Sequence, residues 1–519
     1  MRNKNFQSSN HLIIKLSNIL RDWKWVILTG LGIVVLYFVL RLVNLTILPI
    51  FCDEAIYIRW SQIMKSEPTL RFLPLSDGKQ PLFMWLTIPF LKLFTDPLIA
   101  GRMVSVFSGL ASMVGLFLIT YYLFKSKKAA LFSILIYSIL PFTLFLDRVA
   151  LVDSLLLAFA IWSFFLSVLL IKYQRIDLAI LTGIVLGGGL ITKSPAMFFI
   201  GLIPTTVLLL EIKGKKILVQ IFKLIGLWLI VYLFAFAIYN ILRLGPNFHL
   251  IAIRNKDYVF SLREIIVHPH DPFLVHLRDI SGWLPNLFTW PIFLLSLGGI
   301  FIGFFQRKGR IILSLLVWFL IPLSVQLAMA KVFTPRYILF TIFPLIIFAA
   351  LSADFIVEKL NRKIPWGIII LLILALWPLR YDYLLLASPE KAPLPEGKRR
   401  GYLSEWTSGY GIAEVRDFLR EVSRDKKIIV GTEGYFGTLP DGLQIYFDKD
   451  PQVTILGVGL ELDKIPKQLA EATQTTPTYL VVNQSRMRIR DESGLKLILK
   501  IPKQPSPKGQ DFLLLYQVK

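Results

Sequence analysis

Two adjacent carboxylates, Asp53 and Glu54, follow a long apolar run at 25–48, and Gly78-Lys79-Gln80-Pro81 comes shortly afterwards. An acidic pair at a water–membrane boundary suits a general base acting on a hydroxyl. A lysine where a proline opens a helix suits a phosphate, which also gains from the helix N-terminus. Plainer duties fit each feature alone: Asp53 as an N-cap with Glu54 favoured by the helix dipole, and Lys79 as a surface lysine among headgroups. More ionisable residues stand at the ends of apolar runs: Asp147, Arg148 and Asp153 around one turn, Lys193 before Pro195, and Lys331 with Arg336-Tyr337. Snorkelling accounts for any one of them, but not for their concentration at one set of span ends while span centres are almost free of charge.

The chemistry that suits the whole set is transfer of a sugar from a lipid phosphate. A phosphate leaving group needs no proton if cations neutralise its developing charge, which gives Lys79, Lys193 and Arg336 that work. An acceptor hydroxyl does need a base, which Asp53 or Glu54 supplies. Single displacement inverts the anomeric centre, by analogy with water attack in inverting glycosidases. Charge-free span centres argue against an ion-coupled transporter, which places carboxylates or broken helices at the midplane. Four of the five histidines, His249, His268, His270 and His276, fall in or beside one long loop. His268 and His270 are the weak metal candidates, since no H-E-x-x-H motif is present and loop histidines are commonly just solvated. No cofactor is required, and a divalent metal is left open.

These residues must be positioned by membrane spans. The chain has 519 residues and is 55% apolar, above the roughly 45–50% usual for globular domains. The surplus forms about eleven runs, near 25–48, 97–124, 129–146, 154–171, 177–192, 195–210, 217–240, 284–305, 311–330, 337–352 and 365–379. A soluble enzyme, a disordered tail protein and a small secreted scaffold are excluded. With 57 Lys+Arg against 34 Asp+Glu the net charge is +23, but the cations punctuate apolar runs instead of forming a nucleic-acid-binding face. The single cysteine, Cys52, excludes an intrachain disulfide and a Cys-based zinc site. Neither a P-loop nor a Rossmann glycine pattern occurs.

Every second connection is short and basic: Lys125, Lys127 and Lys128; Lys172 and Arg175; Lys213, Lys215 and Lys216; Arg307, Lys308 and Arg310; Lys359, Arg362 and Lys363. The positive-inside bias places these and residues 1–24 in the cytoplasm, with 25–48 a retained first span. The charged connections, including 49–96 and 241–283, then lie outside, and 81–94, apolar but short with two prolines, reads as an interfacial helix. Residues 25–380 form the membrane domain, 381–408 a linker and 409–519 a small soluble α/β domain outside. In that last part the pattern predicts helices at 411–423 and 464–472 and strands at 427–431, 444–447, 453–458 and 479–483.

Asp53-Glu54, Lys79-Gln80-Pro81-Leu82 with Trp85, Asp153, Leu190-Ile191-Thr192-Lys193-Ser194-Pro195 and Pro335-Arg336-Tyr337 together resemble the GT-C glycosyltransferases. The likeness is greatest to the family 39 branch of protein O-mannosyltransferases, with its relatives that transfer aminoarabinose or galacturonic acid to lipid A. The chain departs at Gln80, where many relatives have proline, and at Ile56-Tyr57, where some have Arg-Tyr. The resemblance implies a polyprenyl-phosphate sugar donor, an acidic residue at Asp53 essential for catalysis and donor phosphate at Lys79. It also implies Lys193 and Tyr337 facing the donor site and Asp153 shaping it, with Tyr57 in the same cavity. The expected protein is an α-helical, multi-pass plasma-membrane enzyme of GT-C type with about eleven spans and a small α/β domain. It is an inverting glycosyltransferase acting on an envelope lipid, glycan or protein, with membrane lipid but no nucleic acid among its partners. Two other readings compete: a transporter or flippase of lipid-linked substrates, and a non-catalytic accessory subunit of the same fold.

Overall fold

The structure, a computed structural model, describes residues 2–211, 217–268, 270–361, 364–507 and 509–519; Lys213, Lys215, Lys216, Arg362, Lys363 and Pro269 lie outside the described residues. Six helices are each long and apolar enough to cross a membrane: Arg21–Leu42, Pro97–Phe124, Val152–Tyr173, Leu218–Leu244, Gly309–Met329 and Trp366–Ala387. Three bent pairs raise the count to nine: Lys127–Ile139 with Pro141–Asp147, Asp271–Phe288 with Trp290–Phe305, and Pro335–Thr341 with Phe343–Leu360. In each pair a proline stands in the first turn of the second helix, Pro141, Pro291 or Pro344. There it cannot continue the preceding hydrogen-bond ladder, and the axis turns by 62°, 103° and 62° respectively. The runs at 177–192 and 195–210 are the shorter apolar helices Ile176–Leu190 and Ser194–Leu209, so all eleven runs are helical but not all reach spanning length. The segment at 81–94 is the short apolar helix Leu82–Leu93. The chain is a multi-pass membrane protein.

Several basic connections gather at one end of the bundle. Lys308 donates to the Phe124 carbonyl (3.3 Å), Arg310 to those of Leu208 and Leu210 (2.7 and 2.6 Å), and Lys127 to that of Asp22 (2.9 Å). At the Phe124, Leu208 and Leu210 carbonyls, which end helical segments, these cations satisfy orphan acceptors and oppose the negative dipole end. Asp53 and Asp153 sit at the other end. Along Val152–Tyr173, Asp153 sits in the first turn and Lys172 in the last, separated by nearly the ~33 Å length of 22 helical residues.

Beyond the last span the chain forms a five-stranded sheet: β1 (Ile428–Glu433), β2 (Val453–Gly459), β3 (Thr478–Asn483), β4 (Leu495–Pro502) and β5 (Phe512–Val518), in the order β2-β1-β3-β5-β4. β1 pairs in parallel with β2 and β3, and β5 runs antiparallel between β3 and β4. The helices expected at 411–423 and 464–472 are Ile412–Val422 and Lys467–Ala472. The strand expected at 444–447 is instead the end of the short helix Asp441–Gln444 and a turn, in which Leu443, Ile445 and Phe447 pack into the core. β4 and β5 were not anticipated.

This sheet domain rests on the helix Cys52–Ser66. Arg59 pairs with Asp448 (2.8 Å), Gln62 donates to the Ile445 carbonyl (2.8 Å) and the Cys52 amide to that of Thr407 (3.1 Å). The segment at 381–408 is more than a tether. The last span runs on to Ala387, and Glu396–Arg399 with the wider turn Arg400–Ser404 sends Lys398 and Tyr402 into the interior.

Candidate active site

The helix Cys52–Ser66 opens on two carboxylates that diverge. Glu54 turns back and accepts from the Phe51 amide (2.9 Å), satisfying an orphan donor at the helix start. The same carboxylate meets Arg102 in a two-pronged pair (both contacts 2.9 Å) and takes the Ala150 amide (2.7 Å). Both side chains are fully buried. Capping, expected of Asp53, is therefore done by Glu54, and Asp53 makes no cap hydrogen bond.

Asp53 faces the other way, into a cavity of about 550 Å³. Its carboxylate lies 2.7 Å from Arg336 and 3.5 Å from Lys79. Burial alone would raise its pKa, but Arg336 and then Lys79 outweigh that and hold the carboxyl well below the usual range. Lys79 also pairs with Asp77 (3.2 Å), with the Tyr57 and Trp60 rings 5.1 and 5.6 Å from its ammonium. Burial disfavours that ammonium, and Tyr57, Asp53 and Asp77 more than restore it, so its pKa is raised.

Each cation is delivered by a constrained loop. Gly78 precedes Lys79 at φ +64°, where an added Cβ would fall 2.6 Å from the Leu250 carbonyl oxygen, so neither the turn nor the packing admits a side chain. Gln80 donates to Ser194 (2.9 Å) and the Leu82 amide to the Ile191 carbonyl (3.2 Å), locking this loop to the one carrying Lys193. Lys193 pairs with Asp153 (2.7 Å) and lies 4.4 Å from the centre of the Tyr337 ring. Burial lowers its pKa against the pull of Asp153. Arg336 and Tyr337 sit on the short helix Pro335–Thr341, and the turn between the span ending at Met329 and that helix is clipped to the loop at 258–260, the Phe260 amide donating to the Met329 carbonyl (2.7 Å) and the Lys331 amide to the Tyr258 carbonyl (2.8 Å).

Seven of the eight expected site residues thus line one cavity: Asp53, Tyr57, Lys79, Asp153, Lys193, Arg336 and Tyr337. Glu54 lies behind it. Asp147 and Arg148 are bundle ties: Asp147 pairs with Arg41 (3.3 Å), while Arg148 caps the first span through the carbonyls of Leu40, Arg41, Val43 and Asn44. His268 and His270 are exposed, His276 bonds the Leu327 carbonyl (2.9 Å), and among the described residues no three His, Cys, Asp or Glu side chains gather as metal ligands would.

Sequence reasoning missed Arg254 and Tyr258, which also line the cavity, Arg254 lying 3.8 Å from Asp77. It also missed Tyr402, whose ring stacks on Phe51 (4.3 Å), while the Arg336 guanidinium lies 5.8 Å from the centre of that same Phe51 ring. Arg102 carried a readable signal, a lone arginine just inside an apolar run.

This arrangement can receive an anion at Lys79 and Arg336, and an anion there competes directly with Asp53 for both. Residues 78–239 match the family model described as dolichyl-phosphate-mannose-protein mannosyltransferase, a stretch that includes Lys79, Asp153 and Lys193. Among solved structures, ArnT from Cupriavidus metallidurans in the apo state aligns at 16% identity and TM-score 0.54, over 95% of this chain and 98% of that one. The same protein bound to undecaprenyl phosphate aligns at 16% and 0.53 over the same shares. The apo oligosaccharyltransferase of Archaeoglobus fulgidus aligns at 12% and 0.53, over 88% of this chain and 69% of that one. No curated protein sequence matches. At these identities the likeness is one of fold.

Proposed function

From the GT-C fold, which this chain has, we propose that the protein is an inverting glycosyltransferase that moves a monosaccharide from a polyprenyl-phosphate donor to a cell-envelope acceptor. The observation that carries this reading is Asp53 gripped by Arg336 and Lys79 at the wall of one cavity. The solved ArnT complex with undecaprenyl phosphate adds support, as a structure of the same fold bound to a polyprenyl phosphate.

Paired with Arg336 and Lys79, Asp53 is a poor base, because two cations stabilise its charge. A donor phosphate draws Lys79 and Arg336 to itself, and Asp53, relieved of them, gains proton affinity as the sugar arrives. The acceptor oxygen then bonds to the anomeric carbon while the bond to the phosphate oxygen breaks. The hydroxyl proton passes to Asp53, the electron pair to the phosphate, and polyprenyl phosphate leaves as a dianion held by the same cations. Lys193 with Asp153 borders the sugar side, and Glu54 acts through Arg102 to hold the first turn in place. The basic end of the bundle faces the cytoplasm of a plasma membrane, so the cavity opens on the extracytoplasmic side with the sheet domain.

The test is release of polyprenyl phosphate from polyprenyl-phosphate sugars by purified protein in liposomes with mixed envelope acceptors, wild type beside Asp53→Asn. Release by wild type that vanishes in the folded variant supports the assignment. Movement of the intact lipid-linked sugar across the bilayer, equal in both proteins and without release, returns the transporter reading.

A further inference from the structure

Lys503, the residue after β4, is 2% exposed and pairs with no carboxylate among the described residues. Its ammonium donates instead to two backbone carbonyls, those of Glu405 (3.0 Å) and Ser408 (2.8 Å). The next residue adds a second attachment, the Gln504 amide donating to the Leu403 carbonyl (3.1 Å). A buried ammonium is unfavourable unless its donors are answered, so a lysine that bonds two carbonyls three residues apart also fixes the shape of the chain between them.

That stretch is joined to the start of the helix Cys52–Ser66. Phe51 and Ser408 form an antiparallel bridge, flanked by bonds from the Gly409 amide to the Ile50 carbonyl (2.8 Å) and from the Cys52 amide to the Thr407 carbonyl (3.1 Å). The Cys52 amide is one of the donors that a helix leaves unpaired in its first turn. The Thr407 carbonyl that answers it also accepts from the Thr438 hydroxyl (3.0 Å), and an added Cβ at Gly437 would fall 2.9 Å from the Cys52 sulfur. Asp53 is the next residue. Its turn is therefore held twice, by Glu54 with Arg102 inside the bundle and by residues 405–409 backed by the sheet domain. Arg336, 2.7 Å from Asp53, belongs to the helix Pro335–Thr341, so this contact spans elements that are held separately.

We propose that Lys503 is a positioning residue for Asp53: through residues 405–408 and their bridge to Phe51 it seats the first turn of the helix, which makes the sheet domain part of what aims the base. The proposal rests on the transferase reading above for what Asp53 does, but not for how it is held. A released turn carries Asp53 away from Arg336 and Lys79. The base is then misplaced for catalysis, while both cations are freer to meet phosphate.

The experiment compares full-length wild type, Lys503→Met and Thr438→Val in nanodiscs, with thermal unfolding as the check on folding. Cys52, the single cysteine, reports on the turn. Burial, and then the charge of Asp53, push its thiol pKa up to about 11, so alkylation is slow while the turn is closed. In folded Lys503→Met, iodoacetamide should label Cys52 at least ~10-fold faster, kcat for release of polyprenyl phosphate should fall about 10- to 100-fold, and affinity for undecaprenyl phosphate should hold or tighten by up to ~3-fold. A role in stability alone would lower the folded fraction and leave kcat per folded molecule intact. Thr438→Val keeps the shape of the side chain and removes its bond to the Thr407 carbonyl; it should repeat the pattern at smaller size, and it carries the test if Lys503→Met unfolds. Labelling as slow as in wild type, or an unchanged kcat, overturns the proposal. Phosphate affinity that weakens in step with kcat overturns it as well, because the whole site has then loosened. Faster labelling in the variants with no release by wild type from any donor keeps the seating role and overturns the transferase reading.

Discussion

Asp53 and Glu54 are neighbours in sequence and alike in chemistry, yet the helix sends them into opposite environments. Successive helical residues point about 100° apart. Glu54 turns to the protein side, where Arg102 and two backbone amides use up both its oxygens in a fully buried knot. Asp53 turns to the cavity, where its partners are cations that a ligand can claim. Burial and pairing therefore do different work on adjacent residues. The closed knot fixes the position of the turn, and the open cluster holds charge that can be redistributed.

The hardest test of this contrast is to neutralise each carboxylate in turn. Asp53→Asn should lower kcat by about 10²- to 10⁴-fold, the usual worth of a general base, in a protein that still folds but unfolds at a lower temperature because Arg336 and Lys79 lose their shared counter-charge. A variant retaining more than a tenth of wild-type kcat removes Asp53 from the role of base. Glu54→Gln should act mainly on stability, since it leaves Arg102 buried without the carboxylate it pairs with; breaking such pairs costs about 3–5 kcal/mol. Equal thermal unfolding of Glu54→Gln and wild type in detergent would show that the knot is not what holds the turn. Lys79→Met should be milder, raising the donor KM and costing on the order of 10- to 100-fold in kcat/KM, as expected for one charge-assisted hydrogen bond. An unchanged donor KM would place the phosphate elsewhere.

The smallest effect is in pH dependence. A carboxylate whose folded pKa is depressed adds stability above its unfolded value, roughly pH 4, and loses it as pH falls through the folded value. The Asp53 cluster is therefore at full strength from pH 5 upwards, and its acid limb in kcat/KM for donor should lie below the ordinary carboxylate range. In kcat, which reports the loaded enzyme, that limb should move about one to three pH units higher once the donor holds Arg336 and Lys79. Superimposable pH profiles for the two parameters would mean that the donor does not take those cations.

How much of this was legible follows from contrast. Asp53, Lys79, Asp153, Lys193 and Arg336 stand out because a charge beside an apolar run needs a reason, and all five meet in the cavity. Glu54 was not separable from Asp53, since adjacency in a sequence does not say which of two residues faces which way. Lys398, Tyr402 and Arg254 were hidden for the opposite reason: they lie in segments already polar, where one more cation or tyrosine has no contrast with its neighbours. The strand expected at 444–447 failed on periodicity. A short alternation of apolar residues is shared by a strand and by a helix end that buries one side, and here Asp441–Gln444 takes the second form.

The pairing of Asp53 with Arg336 also sets an order in time. The carboxylate follows the first span, whereas its nearest cation, Arg336, and the Tyr402 ring that packs on Phe51 come from the later half of the chain. A chain inserted from its N-terminus holds Asp53 beside Lys79 alone until most of the spans have been made. The nascent protein thus carries Asp53 and Lys79 long before Arg336 arrives, so the cluster is assembled by completion of the chain and stays incomplete in a truncated product.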